Sequence, residues 1–425
     1  MLPASSKSDT TMRARESDRE TVPVSSVGFQ GDNLADVQVL AGTLDIDNSP
    51  LAPYADCTLA FLADVSQRLL KGQTARQFPD IAAFAYWCRA AHLKELKGRF
   101  LASEYASGRL GRGLALHIAP ANIPVNFAFS FVFAALAGNA NIVRVPSRDF
   151  AQIELICAAV AESLKQYSEM ARRLAFVRYP ATAPATAEFS AHADARLLWG
   201  GDATIARIGA LATPPRCVDI HFADRYSVAL LDGAAITTAR ERDLQKLAQG
   251  FYNDTYLMDQ NACSSPHMLF WLNASKSAQQ RFWDAVRTEA AGLYRLQPQM
   301  VMDKYVQVCS DIIAEVGTVK VGFDSLLTVV DVSELPRDLC GLRGIGGYFY
   351  QATLTHLNQL APLISDRYQS LLYYGLDPRF LQQWVIDHRL RGIDRIVELG
   401  KALDIDIIWD GYDLVTELSR IVDAR

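Results

Sequence analysis

The spacing of hydrophobic positions changes near residue 110. Residues 1–45 are polar and show no periodicity, and we expect them to form a flexible or extended arm. From about Ile46 to Arg109, apolar residues recur at three- and four-residue steps, which predicts helices. After that, short apolar runs alternate with helical stretches. This alternation predicts parallel βαβ units and therefore an α/β fold.

The predicted elements can be placed along the whole chain. Strands are expected at Gly113–Ile118, Asn141–Val145, Leu174–Tyr179, Arg196–Trp199, Ser227–Leu231, Met268–Leu272 and Leu326–Val332. Helices are expected at Ala60–Leu70, Ile81–Leu93, Val125–Ala137, Asp149–Tyr167, Asp202–Leu211, Arg240–Phe251, Ser275–Ala291, Met302–Val316 and Leu414–Val422.

Composition limits the class of protein. The chain has 425 residues, half of them hydrophobic, which fits two domains better than one core. The net charge is −5 and the basic residues are scattered, which disfavours a nucleic-acid surface. The most apolar run, Val125–Ala137, is shorter than the roughly 18 residues that a membrane span needs, so a buried helix is expected.

The seven cysteines are widely spaced and form no CxxC pair. Disulfides and a zinc site are both disfavoured, no metal is expected, and the cysteine usage indicates a reducing cytoplasm. Residues 1–33 lack the apolar segment of a secretory signal.

Two motifs follow predicted strands, at the sheet edge where open α/β sheets bind ligands. In HIAPANIP, His117–Pro124, the amide of Asn122 could stabilise an oxyanion or simply cap the following helix. In AGNANIVRVPS, Ala137–Ser147, Arg144 and Ser147 could hold a ribose or a 2′-phosphate, although an ordinary surface arginine is the simpler interpretation.

A third motif is LLWGGD, Leu197–Asp202, in which Gly200 and Gly201 connect a strand to a helix. Such a turn allows a dinucleotide to approach the backbone closely. It is not the GxGxxG fingerprint, however, and a plain βα turn would have the same sequence.

The fourth motif is DQNACSSP, Asp259–Pro266, and it contains a candidate nucleophile. Cys263 lies among small polar residues between a helix and a strand, whereas five of the other six cysteines lie in apolar stretches. A thiolate is a strong nucleophile once its pKa is lowered. Three histidines, His117, His221 and His267, are candidate proton carriers, although a packed or surface role is the simpler interpretation for each.

Together these motifs resemble the aldehyde dehydrogenase superfamily and, more closely, the bacterial acyl-CoA reductase family, which includes the fatty acid reductase subunit of luminescent bacteria. Arg391–Val422 resembles the C-terminal segment of that family, and the likeness extends in order from about Gly108 to Val422. The resemblance implies an aldehyde dehydrogenase-like fold. Its parts would be the arm 1–45, an NAD(P)-binding Rossmann-like domain at 46–232, a catalytic domain at 233–400 and a C-terminal segment at 401–425. That last segment would pack on the cofactor domain or on a neighbouring subunit.

The resemblance also implies roles for individual residues. Cys263 would be the nucleophile, Asn122 the oxyanion donor and Gln260 the glutamine that precedes the nucleophile. The cofactor-binding residues would be Ala119, Pro120, Arg144, Ser147, Gly200 and Gly201. NADPH is the preferred cofactor, since Arg144 replaces the usual lysine and suits a 2′-phosphate, but NADH is not excluded.

One departure from the superfamily bears on the reaction. The superfamily's Glu-Leu-Gly-Gly-Lys segment supplies the base that hydrolyses an acyl-enzyme, and the corresponding Asp219–Ser227 has no such glutamate. The expected activity is therefore reduction of an acyl thioester, from acyl-CoA or an acylated protein, to an aldehyde. The family also implies a homodimer or homotetramer with a small oligomerisation element, and an acyl-activating synthetase as partner.

Three other functions remain open at the level of sequence. One is a cysteine-dependent acyltransferase or thioesterase without hydride transfer, and another is an acyl-phosphate reductase. The third is a scaffold subunit that keeps the fold, which would need neither Asn122 nor Cys263.

Overall fold

The computed structural model describes residues 25–73, 77–120, 123–321 and 325–425, with the backbone alone for 318–321. The first part of the fold contains β1 Ser26–Gly28, β2 Gln38–Gly42, β3 Asp45–Asp47, α1 Asp56–Lys71, α2 Pro79–Trp87, α3 Ala90–Leu101, β4 Arg109–Gly111, β5 Leu114–Ile118, α4 Asn126–Leu136, β6 Ala140–Arg144, α5 Ala151–Leu164, α6 Ser168–Ala171, β7 Leu174–Arg178, α7 Ala185–Ser190, β8 Ala195–Trp199, α8 Asp202–Gly209 and β9 Val218–Phe222.

The second part continues without interruption. It contains β10 Tyr226–Asp232, α9 Gly233–Thr238, α10 Glu241–Thr255, β11 Pro266–Leu272, α11 Lys276–Leu293, α12 Pro298–Ile313, β12 Thr318–Val321, β13 Thr328–Asp331, β14 Tyr348–Leu354, β15 Tyr368–Tyr374, α13 Pro378–Asp387, β16 Arg395–Glu398, β17 Ile408–Trp409, β18 Tyr412–Asp413, α14 Leu414–Glu417 and β19 Ser419–Ile421.

The first sheet is doubly wound. Within the described residues it has six strands in the order β2-β7-β6-β5-β8-β9, all parallel except the edge strand β2. The chain runs outward from β5 through β6 to β7 and then returns to the other side of β5 for β8. The order therefore reverses between β5 and β8, which is where open α/β sheets bind ligands.

The strands form because both faces of this sheet are covered. All five residues of β5 and all five of β8 are buried, as expected for parallel strands between two helical layers. The helix α4 packs on one face and is buried at every position from Phe127 to Leu136, which explains why it is apolar on all sides.

The second sheet has seven strands over the described residues, in the order β12-β13-β14-β11-β10-β15-β16. It is parallel except for the edge strand β12. Since β10 pairs with β11 and β15, the change of sheet falls between Phe222 and Tyr226. The strand β10 thus belongs to the second sheet, whereas the cofactor domain expected at 46–232 includes it.

Within the arm expected at 1–45, residues 1–24 lie outside the described residues, and β2 is an edge strand of the first sheet that pairs with β7. The helix expected at Ile81–Leu93 is two helices, α2 and α3, separated at Cys88 and Arg89. The helices α10, α11 and α12 and the strands β11 and β13 lie within about four residues of their expected bounds.

The helix expected at Leu414–Val422 is also wrong: α14 ends at Glu417, and β19 pairs antiparallel with β4. The carbonyl groups that a longer helix would use are taken by side chains of the first part. Arg109 donates to the carbonyl of Thr416 at 3.0 Å, and Asn139 to that of Leu418 at 2.9 Å. The segment packs on the helices of the first sheet, with Leu414, Val415 and Leu418 fully buried in that core.

No helix in the described ranges combines the length and the apolar character needed to cross a bilayer. The same residues contain no group of three or more His, Cys, Asp or Glu side chains suited to a metal ion.

Candidate active site

A cleft of about 470 Å³ lies between the two sheets. On one side it is lined from the carboxyl ends of β5 and β8, by Pro120, Gly200 and Gly201. On the other side it is lined by Cys263, just before β11, and by Gly344 and Ile345, just before β14. The carboxyl edge of the first sheet thus faces the amino edge of the second. Cys263 therefore lies across the cleft from the point between β5 and β8 where the strand order of the first sheet reverses.

The loop that carries Cys263 is held by its own backbone and by Gln260. Asp259 and Gln260 both have left-handed backbone conformations, with φ of 52° and 60°. The Gln260 side chain accepts hydrogen bonds from the backbone N–H groups of Gly347 and Tyr348 and donates to the carbonyl of Tyr348. This glutamine therefore fixes the loop to the start of β14.

Cys263 is a half-buried residue, and one polar side chain contacts its thiol directly. The Gln369 side-chain Nε2, at the start of β15, donates to Sγ at 3.3 Å. Burial and, after it, the Asp410 carboxylate raise the pKa of the Cys263 thiol to about 11. The Gln369 hydrogen bond and the charge of Arg395 act in the opposite direction. At neutral pH the resting group is therefore the thiol.

Behind Cys263 lie a buried carboxylate and a buried guanidinium. Asp410 accepts a hydrogen bond from Gln369, and burial raises the pKa of its carboxyl group. Arg395 lies 3.9 Å from the centre of the Trp409 ring and donates to the carbonyls of Ala402 and Asp404. Sequence reasoning missed Gln369, Asp410 and Arg395. Asp410 lies within the C-terminal segment on which the resemblance rests, but only the segment was recognised.

The first-sheet wall of the cleft is formed by a glycine turn and an aromatic pair. Gly200 has φ of 158°, and a Cβ on Gly201 would meet no described atom within 4 Å. Trp199 stacks on Phe222 with ring centres 3.6 Å apart, and both rings line the cleft. The turn leads directly into α8, whose first backbone N–H groups suit a phosphate.

Arg144 and Ser147 lie at the same sheet edge, beside this turn but not on the cleft wall. Arg144 pairs in register with Ile118, the residue before Ala119 and Pro120. Its guanidinium donates to the hydroxyl of Ser147 at 3.2 Å and to the carbonyl of Tyr179. Ser147 is exposed, so the pair can meet a ligand that extends along this edge.

Asn122 lies outside the described residues, together with Ala121. The residues on either side of them, Pro120 and Ile123, both line the cleft that contains Cys263.

The three histidines have different surroundings. His117 is fully buried, hydrogen-bonded to Ser130 and Asn141, and burial lowers its pKa to about 4. His221 lies on β9 at 3.7 Å from Asp219 and is largely exposed. His267 is the one of the three that lines the cleft. Burial and the nearby Arg343 charge lower its pKa to about 4, so it is neutral at pH 7.

One carboxylate, Asp224, does line the cleft within the Asp219–Ser227 segment. Both of its oxygens are engaged by arginines, Oδ1 by Arg343 at 2.9 Å and Oδ2 by Arg367 at 3.1 Å. A carboxylate held between two guanidinium groups is a poor base for activating water.

The chain matches the family model described as acyl-CoA reductase (LuxC) over residues 97–330, which is more than half of its length. Two relatives are long-chain acyl-protein thioester reductases. The one from Aliivibrio fischeri is 21% identical over 162 residues, and the one from Vibrio harveyi is 25% identical over 163 residues. Each match covers 38% of this chain and 32% of the relative. The aligned part thus spans about a third of the curated relatives.

Solved structures share the fold over most of the chain. An NAD-dependent benzaldehyde dehydrogenase from Corynebacterium glutamicum superposes with a TM-score of 0.56 at 16% identity, covering 83% of each chain. A 1-pyrroline-5-carboxylate dehydrogenase from Thermus thermophilus gives 0.57 at 15% identity, covering 87% of this chain and 81% of that one. The chain has an aldehyde dehydrogenase-like α/β fold and belongs to the LuxC family of acyl-CoA reductases.

Proposed function

We propose that this chain reduces an acyl thioester to an aldehyde with NAD(P)H, through an S-acyl intermediate on Cys263. The observation that carries the proposal is one shared cleft. It brings the nucleophile loop of a LuxC-family chain against the Gly200–Gly201 turn, at the ligand-binding edge of a doubly wound sheet.

The first step is acyl transfer. Sγ of Cys263 attacks the thioester carbonyl, the bond from that carbon to the donor sulfur breaks, and the proton of Cys263 leaves with the donor thiol. Asn122, two positions after Pro120 in the sequence, is the oxyanion donor in this proposal, together with the Cys263 N–H. A donor of this kind is worth roughly 3–4 kcal/mol of barrier.

The second step is reduction. When bound, NAD(P)H would be the source of the hydride that the acyl carbon accepts. The same donors stabilise the oxyanion again, after which the carbonyl re-forms and Cys263 is expelled as thiolate and takes up a proton. The protein's part is to hold the sulfur and the carbonyl in place and to stabilise charge.

The residues present fit a dinucleotide. The open space at Gly201 lets a ligand approach the backbone, and the first turn of α8 offers N–H groups to a pyrophosphate. Arg144 and Ser147, at the end of β6, would hold the adenosine ribose, and the guanidinium favours the 2′-phosphate of NADPH.

The engaged state of Asp224 favours reduction over hydrolysis. An acyl-enzyme persists long enough to accept a hydride only if water is not activated beside it. Because both Asp224 oxygens are bound to arginines, the carboxylate of the Asp219–Ser227 segment that lines the cleft is a poor base for this purpose.

The acyl donor in this proposal is an acyl-CoA or an acylated protein. The names of the two long-chain acyl-protein thioester reductases support the second source. Such a donor also implies an acyl-activating partner enzyme. We further propose that the chain forms a homo-oligomer, as the resemblance to the family implies. We also propose that it acts in a reducing cytoplasm, since all seven cysteines are free thiols.

The test is NADPH oxidation, followed by absorbance, with acyl-CoA thioesters of increasing chain length. Wild type should oxidise NADPH with a chain-length optimum, Cys263→Ala should not, and the control Cys217→Ala, a partly buried thiol outside the cleft lining, should match wild type. Thioester cleavage without NADPH oxidation would instead indicate a thioesterase or acyltransferase. Oxidation with an acyl phosphate alone would indicate an acyl-phosphate reductase.

A further inference from the structure

Gln369 occupies an unusual position between the nucleophile and a carboxylate. Its Nε2 donates one hydrogen bond to Sγ of Cys263 and one to Oδ1 of Asp410. The side chain is fully buried, and its Oε1 has no hydrogen-bond partner among the described residues. An unsatisfied buried oxygen destabilises the fold, so the two donated bonds must offset that cost.

Asp410, as a carboxylate that accepts from Nε2, determines which end of the Gln369 amide faces the sulfur. A carboxylate can only accept hydrogen bonds. A half-turn of the Gln369 amide would place its oxygen against Asp410 and against Cys263, where it could stabilise neither a carboxylate nor a thiolate. Asp410 therefore selects the orientation that presents an N–H group to the sulfur.

Asp410 itself is held in place by its backbone and by surrounding charges. It has a left-handed conformation, with φ of 49°, in the turn between β17 and β18. The charged groups that face it are Arg225, which precedes β10, and Arg395 and Asp394 at the start of β16. Arg225 is paired with Asp394 at 2.5 Å, and Asp410 and Arg395 are the charged groups that face Cys263.

We propose that Gln369 is a positioning residue that presents an N–H donor to the sulfur of Cys263, and that Asp410 fixes the amide in this orientation. The proposal rests on the proposed function only in that Cys263 reacts as a thiolate. The sulfur carries negative charge twice in the reaction. It does so when it attacks the thioester carbonyl and again when it leaves as the aldehyde carbonyl forms. The Gln369 N–H stabilises it at both points.

The test is the rate at which iodoacetamide alkylates Cys263, measured by peptide mass spectrometry as a function of pH. It needs neither cofactor nor acyl donor. Gln369→Met keeps the length of the side chain and removes the donor. Because a hydrogen bond to a charged group is lost, the midpoint of the pH profile should rise by about one unit. The control is Gln279→Met, a buried glutamine bonded to Thr353 outside the cleft lining, and its midpoint should stay at the wild-type value.

Two variants of Asp410 separate orientation from charge. Asp410→Asn and Asp410→Gly both remove the negative charge that faces Cys263. Asparagine and glycine both tolerate the left-handed backbone of this position. Asparagine keeps an oxygen that can accept from Gln369, so the midpoint should fall. Glycine leaves the amide without its acceptor, so the midpoint should lie about half a unit or more above that of Asp410→Asn.

Equal midpoints in the two Asp410 variants would show that Asp410 acts through its charge alone, and would overturn its orienting role. An unchanged midpoint in Gln369→Met would overturn the role of Gln369. Either result can occur in an active reductase. Conversely, the predicted shifts would remain informative if no acyl-CoA were reduced, so failure of this inference and failure of the proposed function are distinguishable.

Discussion

The hydroxyl of Ser227 donates a hydrogen bond of 2.7 Å to the carbonyl oxygen of Cys263. The same hydroxyl accepts a hydrogen bond of 3.3 Å from the backbone N–H of Ser370. Ser227 lies on β10 and Ser370 on β15, so the nucleophile loop is tied to two neighbouring strands at the amino edge of the second sheet. The position of the sulfur therefore depends on the sheet as well as on its own loop.

Removing the Ser227 hydroxyl should lower kcat by more than the loss of stability alone would cause. In Ser227→Ala we expect a loss of about 1–3 kcal/mol of stability and a fall of roughly tenfold or more in kcat, because small displacements of a nucleophile are costly. Ser66→Ala is the control, since Ser66 makes a similar buried bond to the carbonyl of Ala85, and neither residue lines the cleft. Stability by urea titration and kcat are measured for both. If kcat fell in the same ratio to the loss of stability in both variants, the positioning role of Ser227 would be contradicted.

The glycine turn should be sensitive to side-chain size only when cofactor is present. A Cβ at Gly201 would meet no described atom within 4 Å, so Gly201→Leu should fold normally and block the dinucleotide. We expect loss of NADPH binding by fluorescence titration, with alkylation of Cys263 unchanged. Gly209→Leu, at the other end of α8 and equally open, is the control and should bind NADPH as wild type does. Tight NADPH binding by Gly201→Leu would place the cofactor elsewhere.

Arg144 should discriminate between the two nicotinamide cofactors. Arg144→Gln removes the positive charge at the end of β6, and we expect KM for NADPH to rise about tenfold or more, because a charge-assisted hydrogen bond to phosphate is lost. KM for NADH should change little. Arg178→Gln, on the adjacent strand and paired with Glu154, is the control. Equal effects of Arg144→Gln on both cofactors would argue against a 2′-phosphate site.

The buried carboxyl of Asp254 should make stability depend on pH. It accepts backbone hydrogen bonds from Gly400 and Ala402, and burial raises its pKa from 3.8 to about 7. The unfolded chain then releases a proton that the folded chain retains between pH 4 and pH 7. The free energy of unfolding should therefore fall over this range as pH rises, by up to about 1.4 kcal/mol per unit.

Asp254→Asn should remove this dependence. Asparagine has one oxygen, so the variant also loses one of the two backbone hydrogen bonds, which lowers stability at every pH. The informative quantity is therefore the difference between the free energies of unfolding measured by urea titration at pH 5 and at pH 7. That difference should be smaller in the variant than in wild type. An identical difference in the two proteins would show that the carboxyl titrates in the folded state as it does in the unfolded chain.

Local patterns predicted the parts of the fold that are determined locally. The strands β5, β8 and β11 are buried and appear in the sequence as short runs of mainly apolar residues, which is why they were placed correctly. The final helix was predicted wrongly because Arg109 and Asn139, roughly 280 to 310 residues away in sequence, bind its carbonyl groups. No local pattern carries that information.

The candidate site divides in the same way. Cys263 could be predicted as the candidate nucleophile from its own small polar neighbours. Gln369 lies 106 positions from Cys263 and 41 positions from Asp410. Gln369 is part of a buried strand and Asp410 of a short turn, and neither segment has a distinctive sequence. The parallel order β11-β10-β15 brings Cys263 and Gln369 to one edge of the second sheet, and the turn between β17 and β18 adds Asp410.

The most direct test of the central claim is a single-turnover experiment with an acyl-CoA in two stages. Without NADPH, the account predicts one acyl group per chain, found by mass spectrometry on the peptide that contains Cys263. Addition of NADPH should then release that group as the aldehyde and restore the free thiol. Acylation of another residue, or release of the acyl group as the carboxylic acid after NADPH is added, would contradict the account.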